Sequence, residues 1–114
     1  MFPSDQIEEL RVLYPGLSLV EETGIHYLFL PSVPLPNGCQ PRKVDLLFCP
    51  AERDGYKSRL FFTERINCPK QLNWNANGVR IIERNWHAIS WRIGGTGLRL
   101  AQMISSHLSA FQCN

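Results

Sequence analysis

Apolar positions recur along this chain with two different periods, and the switches between them mark its elements. In PSDQIEELRVLYPG, Ile7, Leu10 and Leu13 or Tyr14 fall on one helical face, which predicts a short first helix. Asp5 and Glu8 stand at capping-box spacing, with Ser4 as an alternative cap, and Pro15-Gly16 stops the helix. LSLVEE and IHYLFLP then read as two strands of a hairpin turning at Thr23-Gly24. PSVPLPNGCQP carries four prolines in eleven residues and predicts an extended surface loop, because each proline lacks an N–H. KVDLLFC and SRLFFTERI are the next two strands, parted by the polar turn PAERDGYK. The asparagine-rich NCPKQLNWNANG has turn chemistry and no periodicity, VRIIE has the makings of a short strand, and IGGTG breaks the chain. Helical spacing returns in LRLAQMISSHLSAF through Leu98, Ala101, Ile104 or Ser105, Leu108 and Phe111, with Thr96 as the N-cap. Helix, three or four antiparallel strands, a long irregular segment and a closing helix predict an α+β domain with helices on one face of a meander.

Composition adds bounds. A chain of 114 residues suits one domain, residues 1–114. An apolar fraction of 44% and a charged fraction of 19% fit a globular protein with its own core. Twelve basic and ten acidic residues leave a net charge of +2, scattered along the chain, which argues against nucleic-acid or membrane partners. No apolar run approaches the roughly 18 residues of a membrane span. MFPSDQIEEL has neither a basic region nor a signal-like apolar core, so a cytoplasmic location is expected. Cys39, Cys49, Cys68 and Cys113 are irregularly spaced, with no C-x-x-C and no zinc-type Cys/His spacing, so neither a metal nor another cofactor is expected. In a reducing compartment they stay free thiols.

Several chemistries drop out. GGTG precedes a helix but lacks the lysine and the strand of a phosphate-binding P-loop. H-E-x-x-H and G-x-S-x-G do not occur, and the acids form no paired-carboxylate motif. What remains is Cys68, the asparagines around it, and NWHAISW.

The order of elements and particular residues resemble the ubiquitin-conjugating enzyme fold, specifically its diverged prokaryotic relatives in bacterial ubiquitin-like modification systems. YLFLPSVPLPNG followed by KVDLLFCP is similar to the first strands and proline-rich connection of that group, and LFFTERI to its fourth strand. NGVRIIERNWHAIS falls where the family has its asparagine-glycine turn, active-site cysteine and downstream tryptophan. The resemblance spans nearly the whole chain. It implies an N-terminal helix, an antiparallel four-stranded meander, a long active-site-type loop and a C-terminal helix. The implied function is acceptance of a ubiquitin-like protein from an activating enzyme and its transfer to a target. The implied alternative is a non-catalytic module of the same fold that positions either partner.

The departures bear on the chemistry. Typical members carry His-Pro-Asn after the fourth strand, where this chain has Asn67-Cys68-Pro69. At the family's cysteine position this chain reads Val79-Arg80-Ile81-Ile82, without a thiol. Cys68 is therefore the candidate nucleophile: a thiolate both attacks an acyl group and leaves readily, and Arg65 and Lys70 flank it. His87 is the candidate proton acceptor for the attacking amine. Asn73 and Asn77, with Asn67 and Asn75 beside them, are candidate amide donors to an oxyanion. Each has a plainer reading. Cys68 is then a half-buried small residue, His87 a structural hydrogen-bonder, and the asparagines turn formers. Thr63 and Ser90 are hydroxyl alternatives on location alone. Cys49 is expected buried, Cys39 exposed in the proline loop, and Cys113 at a fraying end. Trp74, Trp86 and Trp91 are expected to anchor core or loops.

Overall fold

A computed structural model describes residues 2–112. Cys113 lies outside the described residues. The chain runs α1 (Ser4–Leu13), β1 (Ser18–Glu22), β2 (Ile25–Pro34), β3 (Lys43–Cys49), β4 (Arg59–Phe62), β5 (Trp74–Ile81), β6 (Arg84–Ile89) and α2 (Leu100–Leu108), closing in a 3-10 turn at Ser109–Phe111. All strand pairings are antiparallel, in the order β1-β2-β3-β4-β6-β5.

The first hairpin forms as its sequence predicts. Thr23 and Gly24 have φ of 51° and 81°, the two positive values that a tight hairpin turn matched to the strand twist requires. β3 and β4 read as nearly unbroken apolar runs because both of their faces are covered. Leu28, Leu30, Leu46, Phe48, Leu60 and Phe62 point to the helices, where Ile7 and Leu10 of α1 and Leu100, Ile104 and Phe111 close the core. Tyr27, Leu47, Cys49 and Phe61 point the other way, into a second cluster with Ala76, Ile81, Trp86 and Ala88 from β5 and β6. Burying each such large side chain contributes about 1.5–3 kcal/mol.

The second cluster is where the expectation of a four-stranded meander followed by a long irregular loop is corrected. β1 to β4 are a meander, but the sheet has six strands, and the end of the asparagine-rich stretch, from Trp74 to Gly78, belongs to the β5–β6 hairpin. The hairpin touches β4 in register only at Phe62 and His87 and crosses the face opposite the helices. Its turn reaches β1, where the Ile82 amide donates to the Glu22 carboxylate at 2.8 Å. Trp86 meets Phe29 edge-on, and Arg84 pairs with Asp45 at 3.0 Å. Register shifts at Trp74/Ala76 and Ala76/Val79 break the period-two pattern, which hides the strand in the sequence. The turn residues Ile82 and Glu83 have φ of 46° and 64° without a glycine to announce them.

Smaller corrections follow the same logic. β2 continues into the proline segment because a bulge between Leu30 and Val33, with Ser32 at φ 52°, interrupts the ladder where Pro31 has no N–H to give. Beyond it the loop is anchored, not merely extended. Leu35 and Cys39 are buried, the Gln40–Pro41 peptide is cis, and Gln40 and Asn67 exchange both backbone hydrogen bonds at 2.8 Å. Cys39 is thus not exposed, and its thiol donates to the Phe111 carbonyl at 3.8 Å. α1 is capped by neither Asp5 nor Ser4; Pro3 precedes it and Ser4 is already helical. α2 starts after Arg99 rather than Thr96, with the Arg99 amide donating to the Gln102 side chain at 2.8 Å. Its buried face is Leu100, Ile104 and His107, while Leu98, Ala101 and Leu108 are only half-buried. Gln6, Asp5 and Glu9 of α1 bond Leu100 and Arg99, which ties the two helices side by side. No helix among the described residues is long and apolar enough to cross a membrane.

Candidate functional site

Cys68 lies in the connection from β4 to β5, and three features hold it there. Pro69 blocks a regular strand. The paired backbones of Asn67 and Gln40 fasten the segment to the proline loop. Gly38, at φ 90°, leaves room for Pro69, whose Cδ would lie 3.4 Å from any Cβ there. The thiol is half-buried, is not in a disulfide, and donates to the Lys70 carbonyl at 3.4 Å. It lines an open groove of about 330 Å³ with Arg65, Lys70, Leu72 and Trp74, and no carboxylate lines that groove. The Arg65 guanidinium sits 6.0 Å from the Trp74 ring centroid.

The other two described cysteines are closed to solvent. Burial pushes the Cys49 thiol above its ordinary value, and the sulfur donates to the Ala51 carbonyl at 3.4 Å. Cys39 is fully buried.

Of the other candidate site residues Asn67 lines the groove with Cys68, whereas His87, Asn77 and Asn73 do not. His87 sits half-buried on β6, and its Nδ1 accepts from the Gly78 amide at 3.2 Å, so a neutral ring carries its proton on Nε2. Asn77 is exposed and donates to the Trp74 carbonyl at 3.0 Å. Asn73 is exposed, and its own carbonyl accepts from Ser90 at 2.7 Å. None of the three lines the Cys68 groove. Trp86 is fully buried with its indole N–H on the Ile81 carbonyl, and Trp74 and Trp91 are half-buried anchors.

At the opposite end of β4 the structure assembles polar groups that sequence patterns do not reveal. Arg59 is buried, pairs with Asp54 at 3.1 Å, bonds the Asn75 side-chain oxygen and stacks 4.4 Å from the Tyr56 ring centroid. The Tyr56 and Ser90 hydroxyls lie 2.9 Å apart, and the Asn75 amide donates to Tyr56 at 2.9 Å. The Ser90 hydroxyl, then the Asn75 amide and the Arg59 and Arg92 guanidiniums, outweigh burial and hold the phenol below its ordinary value. Beside this cluster, Ser58 Oγ and His107 Nε2 are 2.9 Å apart and both residues are buried. Burial, reinforced by the Arg59 charge, brings His107 down from 6.5 to about 4, so it is neutral near pH 7. These residues come from the β3–β4 turn, β4, β5, the β6 end and α2. The only local hint is that Tyr56, Ser58 and Arg59 lie close together where the polar turn enters β4. Among the described residues, no three or more His, Cys, Asp and Glu side chains gather as a metal would need.

Compared with protein-family models, with curated proteins and with solved structures, the chain matches none.

Proposed function

We propose that this protein is a ubiquitin-conjugating-enzyme-like component of a bacterial ubiquitin-like modification system, with Cys68 as the acyl acceptor. The observation that carries the reading is the setting of Cys68: an unpaired, reachable thiol just past β4, in an open groove flanked by Arg65 and Lys70. The order of α1, the meander β1 to β4 and a closing α2 is compatible with the fold that the sequence resembles. In the proposed step, Cys68 Sγ attacks the carbonyl of a thioester on the activating enzyme. A new S–C bond forms at Cys68, the old one breaks, and the thiol proton goes to the departing thiolate. A target amine then attacks the same carbonyl: the C–N bond forms, the C–S bond to Cys68 breaks, and the amine proton passes to the departing thiolate.

A second reading, a non-catalytic module that positions the activating enzyme or the ubiquitin-like protein, is favoured by two observations. His87, Asn73 and Asn77 do not join Cys68 in its groove. α1 also exposes Val12 and Leu13, at 82% and 58%, apolar surface of the kind a partner covers.

One experiment separates the two. The protein is incubated with an activating enzyme, its ubiquitin-like protein and ATP, then run on a non-reducing gel. Under the first reading a thiol-sensitive adduct forms and Cys68→Ala abolishes it, while Cys68→Ser traps a slower-leaving oxyester. An adduct that survives Cys68→Ala and resists thiol moves the acceptor to a hydroxyl such as Thr63 or Ser90. No adduct, with tight binding lost on Val12→Asp, supports the module.

A further inference from the structure

A cleft larger than the groove at Cys68 lies elsewhere on the protein. It lies at the other end of β4, has a volume of about 430 Å³, and is walled by Tyr56, Lys57, Ser58, Arg92 and the Gly94-Gly95 backbone. That size falls in the range of roughly 300–1,000 Å³ typical of small-ligand sites. Its charge is one-sided. Lys57 and Arg92 both line it, no Asp or Glu does, and neither cation forms an ion pair among the described residues. Arg92 is held in place, donating to the Gly55 carbonyl at 2.8 Å with its guanidinium 4.5 Å from the Tyr56 ring centroid. Behind the wall stands buried Arg59. The lowered Tyr56 and His107 have several causes, and the positive potential of Arg59 contributes to both.

The backbone of the cleft is open as well. Gly95 and Gly97 have φ of 94° and 67°, so their conformations explain them. Gly94 has an ordinary φ, and a Cβ added there would meet nothing within 4 Å. Neither conformation nor packing accounts for that glycine, whereas close approach of a ligand to its backbone would. The cleft continues into a hollow of about 210 Å³ that shares Lys57, Ser58, Ile93 and Gly95 and is lined further on by the apolar Leu98 and Met103.

We propose that this two-part cleft binds a small amphiphilic anion, its carboxylate or phosphate head between Lys57 and Arg92 and its short apolar tail over Leu98 and Met103. The head gains charge-assisted hydrogen bonds from the two cations, with the Ser58 hydroxyl and Gly-Gly amides at hand on the cleft wall. The tail removes the Leu98 and Met103 side chains from water. This site is independent of the Cys68 chemistry, since the two lie at opposite ends of β4.

The test is an amide-shift NMR titration of the intact protein with hexanoate and hexyl phosphate, and with acetate and hexanol as probes lacking the tail or the head. Saturable shifts at Ser58, Gly94, Gly95 and Thr96 are expected for at least one six-carbon anion, the tighter of the two identifying the preferred head. Acetate and hexanol should bind about tenfold more weakly or worse, as should the six-carbon anion to the paired variant Lys57→Gln, Arg92→Gln. Gly94→Val, which adds a branched side chain to the cleft lining, should block binding while leaving the rest of the amide spectrum in place. The proposal is overturned if neither six-carbon anion saturates those amides, if hexanol binds as well as hexanoate, or if both the paired variant and Gly94→Val bind like the parent.

Discussion

Lowering the pH from 7 to 4.5 should destabilise this protein through His107. The residue is 4% exposed, lies edge-on to Phe48 with ring centroids 5.8 Å apart, and shares a hydrogen bond with Ser58. In the unfolded chain the ring takes a proton near 6.5, but in the folded protein only near about 4, so between those values the unfolded state binds more protons. A depressed histidine therefore contributes stability that is fully present above the unfolded value and lost as pH falls towards the folded one. At about 1.4 kcal/mol per tenfold, the loss between pH 7 and about pH 4.5 is roughly 2 kcal/mol. Asp45 stays ionised through this interval, because the Ser32 amide and Arg84 outweigh burial and hold it below its usual 3.8. Urea unfolding followed by tryptophan fluorescence measures the effect. With a urea dependence of about 1–3 kcal/mol per molar, the midpoint should fall by about 1–2 M across the interval. His107→Gln keeps a group able to bond Ser58 but cannot titrate. It should be less stable than the parent at pH 7 and much flatter below it. If parent and variant lose stability in parallel from pH 7 to 4.5, His107 is not the group responsible and the reasoning fails.

Ile104 is fully buried and Leu108 only half-buried, so chemical denaturation should show Ile104→Ala losing about 2–5 kcal/mol and Leu108→Ala clearly less; the reverse order would mean that α2 presents the other face. Trp86→Ala should lose about 3–5 kcal/mol, because the indole fills the cluster between the β5–β6 hairpin and the sheet, and a near-neutral result would show that the hairpin does not pack there. Peptide mapping after brief alkylation of the native protein should find Cys68 modified ahead of Cys39 and Cys49, which react only as the protein unfolds.

The sequence by itself determined the elements whose signals are local. α1 and α2 follow from apolar residues three and four apart, the first hairpin from Thr23-Gly24 between alternating strands, and β3 and β4 from short apolar runs. The exposure of Cys68 was legible too, since a proline and polar neighbours act over a few residues. Tertiary structure alone decided what depends on distant partners. β5 and β6 became strands because Ala76, Ile81, Trp86 and Ala88 find an uncovered sheet face, although the turn that joins them lacks glycine and their register is broken. Cys39, polar in its surroundings along the chain, is buried because the proline loop folds back against Phe111, 72 residues away. The buried face of α2 and its closing turn keeps Ile104 and Phe111 from the predicted stripe and is otherwise rotated to Leu100 and His107, because Arg99, Leu100 and their bonds to α1 set its start. That rotation places His107 against Ser58, 49 residues earlier. Periodicity encodes which residues shun water, but only packing chooses which surface covers them, and the polar groups caught beneath it are recruited by position rather than by pattern.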